Sequence, residues 1–91
     1  ASVREIAVAW SEKTGIMMEV LSDCPCVQFY AANFVEQEHG KNGHVYNKRE
    51  AFCLETQVEP NAINVENFHS PLLEAGEQYD STTSYRFYTR D

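Results

Sequence analysis

Basic residues are scarce in this chain. Seven Lys and Arg stand against fourteen Asp and Glu, a formal net charge of −7 at pH 7. Proteins that hold nucleic acid present basic patches to phosphate, so this balance argues against that class. It argues equally against binding to an anionic membrane surface. Long apolar runs are missing as well, and no stretch is long or apolar enough to span a bilayer as a helix. Cysteine is sparse and odd in number: Cys24, Cys26 and Cys53. That count does not make a disulfide framework. Cys24-Pro25-Cys26 has the wrong spacing for a zinc knuckle and has no further ligand nearby, so no metal is expected. Free thiols in a reducing cytoplasm are the expected state. What survives these exclusions is an acidic protein with a neutral small-molecule ligand, although charge alone does not select one.

Helical periodicity is also lacking. No segment keeps an apolar face for more than two turns, and there is no internal repeat or low-complexity tract. The 91 residues allow one domain at most. Period-two alternation is what the chain has instead. Residues 2–10 read as a strand, with Val3, Glu5, Ala7 and Ala9 on one face and Arg4, Ile6, Val8 and Trp10 on the other. Residues 11–15 end in Gly15, which can take the positive φ of a hairpin loop, and residues 16–22 return as a second strand. Pro25 cannot donate to a ladder, so the third strand, 26–32, starts at or after it. Val27, Phe29 and Ala31 share one of its faces; Cys26, Gln28 and Tyr30 share the other. Residues 35–48 form a polar loop of the length at which loops tend to be functional or mobile. Residues 49–57 read as the next strand. Pro60, Asn61 and Asn64 then keep the chain irregular. After a turn at Ala75-Gly76, residues 77–90 are mostly extended, with Thr83, Tyr85, Phe87 and Thr89 on one face. Short strands with Gly, Pro and Asn between them indicate an all-β sandwich.

The segment that bears on chemistry is Ala51-Phe52-Cys53-Leu54-Glu55-Thr56-Gln57. Phe52, Leu54 and Thr56 share the face expected to be core. Ala51, Cys53 and Glu55 share the other, where small side chains leave open space in front of the acid. A carboxylate at a concave, partly dry surface has a raised pKa and can serve as a general base. Read from this segment alone, Glu55 fits better the commoner case, a strand-end carboxylate pointing into water. Gln28 has two readings of equal weight on the residues alone, as a ligand contact or as a partner for a neighbouring backbone group.

Flanking stretches bear on that choice. Upstream lie Pro25-Cys26-Val27-Gln28-Phe29-Tyr30-Ala31-Ala32-Asn33-Phe34 and Gly40-Lys41-Asn42-Gly43-His44-Val45-Tyr46. Downstream lie Glu59-Pro60-Asn61-Ala62-Ile63-Asn64 and Gly76-Glu77-Gln78-Tyr79-Asp80-Ser81-Thr82-Thr83. In this order and at these spacings the set resembles the C-terminal part of the aldose 1-epimerases, the galactose mutarotase family, over about residues 16 to 88. The resemblance implies that residues 1–91 are the C-terminal part of a single aldose 1-epimerase domain, with the N-terminal part elsewhere. The implied fold is the last strands of a large antiparallel β-sandwich, the galactose mutarotase-like supersandwich. Val27, Phe29, Phe52 and Leu54 would then be poorly buried in this chain alone.

The implied activity is interconversion of the α and β anomers of hexoses such as galactose and glucose, without metal or other cofactor. A base takes the proton from the C1 hydroxyl and an acid protonates the ring oxygen; the ring opens and closes on the other face. Glu55 stands at the family's general base and Gln28 at its sugar-binding Gln. The family's acid, a His, belongs to the N-terminal part. His39, His44 and His69 fall on no motif position for it and read as loop or surface residues, so this chain alone is expected to be inactive. The implied partners are an aldohexose and the missing N-terminal part, with no nucleic acid and no membrane.

Three places depart from the family pattern. Arg49-Glu50-Ala51 replaces H-x-G, Ala31-Ala32-Asn33 replaces T-G-N, and Ser81 replaces a His. They leave open a non-catalytic carbohydrate-binding paralogue on the same fold. A glycoside hydrolase normally needs two carboxylates set about 5–9.5 Å apart, and the acids here are scattered. Fusion of this sandwich to a nucleotide-sugar epimerase domain also stays open.

Overall fold

A computed structural model describes residues 2–90. Seven strands account for its regular structure: β1 (Arg4–Trp10), β2 (Ile16–Ser22), β3 (Cys26–Tyr30), β4 (Glu38–His39), β5 (Val45–Tyr46), β6 (Cys53–Gln57) and β7 (Thr83–Thr89). The helical pieces among the described residues are two short 3-10 turns, Lys41–Gly43 and Ala62–Asn64. The chain is all-β, as the alternation and turn residues indicate.

All pairings are antiparallel and fall into three sheets. One has the order β1-β2-β7; the others pair β3 with β6 and β4 with β5. β1 and β2 form the expected hairpin. Gly15 sits at φ 77, donates to Ser11 O at 2.8 Å and accepts from Arg90 N at 2.7 Å, so the loop that turns β1 into β2 also receives the end of β7. Such a φ is open to glycine because it has no Cβ.

β2 lies between two partners, and that central place puts the core there. Val20 and Ser22 are fully buried. Ile16, Met18, Val20 and Ser22 lie opposite Thr89, Phe87, Tyr85 and Thr83, so the expected Thr83/Tyr85/Phe87/Thr89 face of β7 is the face it shares with the buried residues of β2. β1 departs from strict alternation. Glu5 pairs with Leu21 and Ala7 with Val20, so the register shifts between them and Glu5 and Ala7 fall on opposite faces. The extra residue of a bulge reverses the alternation beyond it. The grouping of Glu5 with Ala7 and Ala9 is thereby corrected.

The three-stranded sheet and the β3–β6 pair are tied by side chains. Thr83 Oγ1 lies 2.8 Å from Thr56 Oγ1 and 3.1 Å from Ser22 Oγ, and the Tyr85 hydroxyl donates to Leu54 O at 2.9 Å. Beside this seam the two sheets border an apolar groove of about 720 Å³, lined in part by Met18 and Phe87 from one sheet and by Phe29 and Phe52 from the other side. The rings of Phe29 and Phe52 pack with centroids 6.1 Å apart, tilted by 42°. The groove is open: Phe29 is 61% and Phe52 49% exposed. The face expected to be core is apolar and inward, but within these residues it is only half covered.

Two strand ends are shorter than the alternation suggests. β3 stops at Tyr30 because Ala32 turns to φ 58, and β6 begins at Cys53 because Arg49 turns to φ 63. Left-handed residues cannot continue a ladder. The polar loop between them carries a small β-ribbon, β4–β5. Gly40 allows it: a Cβ there would run into the Tyr46 ring.

Candidate active site

β3 and β6 bring the two sequence-predicted site residues together. Their register runs Cys26↔Gln57, Val27↔Thr56, Gln28↔Glu55, Phe29↔Leu54 and Tyr30↔Cys53. Gln28 and Glu55 are directly opposite one another. In an antiparallel pair such residues share a face, with Cβ atoms roughly 4.5–5.5 Å apart. Alternation puts Tyr30 and Cys53 on the same face on one side of them, and Cys26 and Gln57 on the other. One sheet face therefore carries a carboxylate, two amides, a phenol and two thiols. The opposite face carries Val27, Phe29, Leu54 and Thr56.

Glu55 and Gln28 are both exposed. The described residues give an open polar face rather than a closed hollow. The Gln28 amide makes a long bond of 3.4 Å to the Phe29 carbonyl, a weak hold that leaves it able to turn toward a ligand. Cys24, Cys26 and Cys53 are free thiols. Among the described residues no three His, Cys, Asp or Glu side chains converge so as to hold a metal ion, and no helix is long and apolar enough to cross a membrane.

The histidines stand apart from this pair in their bonding. His39 and His44 are exposed on and beside the β4–β5 ribbon. The His69 ring lies 2.9 Å from Glu59 Oε2, and that bond holds the Glu59 carboxyl below its ordinary range.

Each departure from the family pattern has a local partner. Ser81 donates to Asp23 Oδ1 at 3.1 Å, beside Thr82 N, which donates to the same oxygen at 3.1 Å. The backbone N–H first, and the hydroxyl after it, hold the Asp23 carboxyl below its usual range. Arg49 Nε donates to Asn33 Oδ1 at 3.1 Å, and Arg49 N to Ala32 O at 3.2 Å. Sequence reasoning missed both contacts and the Ser22–Thr83–Thr56 seam. They join residues far apart in the chain, and no spacing rule marks them.

Antiparallel sheets facing one another across an apolar groove, with a carboxylate and an amide paired on an outward strand face, define a piece of a β-sandwich protein with a polar site on one sheet. The aldose 1-epimerase family profile matches residues 2–86. The galactose mutarotase of Homo sapiens is 48% identical over 75 residues, those of Bos taurus and Mus musculus 45% and 44%. Each match covers 81% of this chain and 22% of the relative, so the chain spans about a fifth of the length of these curated relatives. The chain belongs to the aldose 1-epimerase family.

Proposed function

We propose that the protein to which these residues belong is a mutarotase, interconverting the α and β anomers of aldohexoses such as galactose and glucose. The observation that carries the reading is the direct cross-strand pairing of Gln28 with Glu55 on one polar face. A base must reach the C1 hydroxyl, and a neighbouring amide can hold a sugar hydroxyl so that C1 stays within that reach. Glu55 takes the C1 proton and returns it on ring closure; Gln28 binds the sugar. The acid that serves the ring oxygen, a His in the family, comes from outside this chain. No cofactor is needed, because the reaction only moves protons. Family membership alone does not fix function, so the reading rests on this pair.

The partners in this reading are the sugar and the remaining part of the family domain. That part would cover the open Phe29/Phe52 groove and wall in Glu55, shielding the proton transfers from bulk water. The residues 1–91 alone would be inactive, and the enzyme would work in the cytoplasm, where its free thiols persist. The alternative of a non-catalytic sugar binder drew on the departures at Arg49-Glu50-Ala51, Ala31-Ala32-Asn33 and Ser81. Arg49 and Ser81 make local bonds that account for their side chains without any loss of the catalytic pair.

The test is anomer exchange followed by polarimetry in the complete protein, with α-glucose and α-galactose. Glu55→Gln keeps the shape and removes the base, so kcat should fall by about 10²–10⁴-fold. Full activity in Glu55→Gln would overturn the assignment. A complete protein that equilibrates neither sugar faster than buffer would instead be a binding protein.

A further inference from the structure

The connection from β3 to β6 leaves the sheet two register pairs beyond Gln28–Glu55, after Tyr30 and Cys53. It closes on itself at once. Ala32 at φ 58 and Arg49 at φ 63 are both left-handed, a conformation that non-glycine residues hold only when their surroundings enforce it. Arg49 N donates to Ala32 O at 3.2 Å, and Arg49 Nε to Asn33 Oδ1 at 3.1 Å. The Tyr30 hydroxyl accepts from Phe34 N at 3.2 Å. On the other side, Glu50 Oε1 accepts from Asn47 N at 2.6 Å and Glu50 N donates to Asn47 O at 3.3 Å, which fixes the turn that presents Arg49. A long loop is thus stapled at its neck, beside the last ladder pair of β3 and β6.

We propose that Arg49 is a positioning residue for the sugar site: clasped to Asn33, it holds the neck closed and so keeps the Gln28–Glu55 pair in register with the substrate. This rests on the mutarotase reading of Glu55. The physical reason is leverage at a strand end. Terminal ladder pairs fray first. Tyr30 and Cys53 are the last pair, Phe29 and Leu54 the next, and Gln28 and Glu55 the third, on the same face as the last. If the neck opens, the last pair loses the clamp that sets its spacing, and the carboxylate beyond it drifts. Misplacement by about 1 Å can cost about 10²-fold in rate. Arginine suits the task because its planar fork gives a directed Nε–H donor and its charge is permanent. Among the described residues, Arg49 engages its side chain through Nε, donated to Asn33.

The experiment is a double-substitution cycle in the complete protein, reading kcat, KM and melting temperature. Arg49→Ala and Asn33→Ala should each lower kcat about tenfold, with KM changed less. The double variant should be no worse than either single one, because both break the same contact. Arg49→Lys, with a donor but no planar fork, should recover only part of the rate. Unchanged kcat in Arg49→Ala and Asn33→Ala, or losses in kcat that multiply, would overturn the proposal. Coupling seen in melting temperature alone would also overturn it, since it would make the clasp structural only. Should Arg49→Ala fail to fold, Asn33→Ala and Arg49→Lys carry the same comparison. Glu55→Gln, measured alongside, separates the two ideas. Full activity there sinks the base assignment and the clasp with it. Lost activity there with normal kcat in Arg49→Ala sinks the clasp alone.

Discussion

Replacing Thr83 by Val tests how the two sheets are joined. The branched outline of the side chain is kept and one hydroxyl is removed. Thr83 Oγ1 stands between Thr56 Oγ1 at 2.8 Å and Ser22 Oγ at 3.1 Å, so two bonds are lost. Each intramolecular hydrogen bond contributes about 0.5–1.5 kcal/mol net, which gives about 1–3 kcal/mol for the pair. Ser22 is fully buried, yet it keeps one partner, the N–H of Cys24 at 3.0 Å. The full penalty of an orphaned polar group is therefore not incurred, and about 2 kcal/mol is the expected loss. Urea unfolding of the complete protein should thus show a lower midpoint with an unchanged slope. Thr56→Val should cost less in the Thr83→Val background than in the native one, because its partner has already gone. Native stability in Thr83→Val, or full additivity with Thr56→Val, would refute the view that these hydroxyls bind the sheets together.

Ala32 gives a second stability test, because it combines φ 58 with 6% exposure. A glycine there relieves about 1–2 kcal/mol of left-handed strain, but removes a buried methyl worth about 0.8 kcal/mol and adds chain entropy worth roughly 0.5–1 kcal/mol. Ala32→Gly should therefore stay within about 1 kcal/mol of native in urea unfolding. Ala32→Val, branched and overpacked, should lose at least about 2 kcal/mol; equal behaviour of the two would contradict the assigned backbone. Asp23 gives a pH test. Its folded carboxyl lies below the ordinary range, because Thr82 N–H and then the Ser81 hydroxyl bond the ionised form. Its contribution to stability is present above the unfolded carboxylate pKa and is lost as pH falls through the folded value. Carboxyl NMR titration should place its midpoint below that of free aspartate, with Ser81→Ala moving it back up; a midpoint at or above the free value would contradict the contacts.

The value of Glu55 as a base depends on what faces it. With Glu55 enclosed by the rest of a sandwich, its proton transfers would be kept from bulk water. The Gln28–Glu55 pairing fixes direction and spacing, and enclosure would tune chemistry. Within the proposed reading the two tasks fall on different parts of one protein.

The sequence by itself determined the five longer strands, the face each presents except across the bulge in β1, and the polar strip on which Glu55 and Gln28 stand. Alternation with a period of two is a local property, so Phe52 and Leu54 part from Cys53 and Glu55 wherever the strand is placed. The left-handed turn at Gly15 was legible for the same reason, since only its own backbone is involved. Tertiary structure alone decided that Gln28 lies opposite Glu55, because register is set between strands and no residue encodes it alone. It also decided the bulge that separates Glu5 from Ala7, the Arg49–Asn33 clasp and the Thr83 seam. Each of these is a contact between residues that the chain keeps apart and only folding brings within bonding distance.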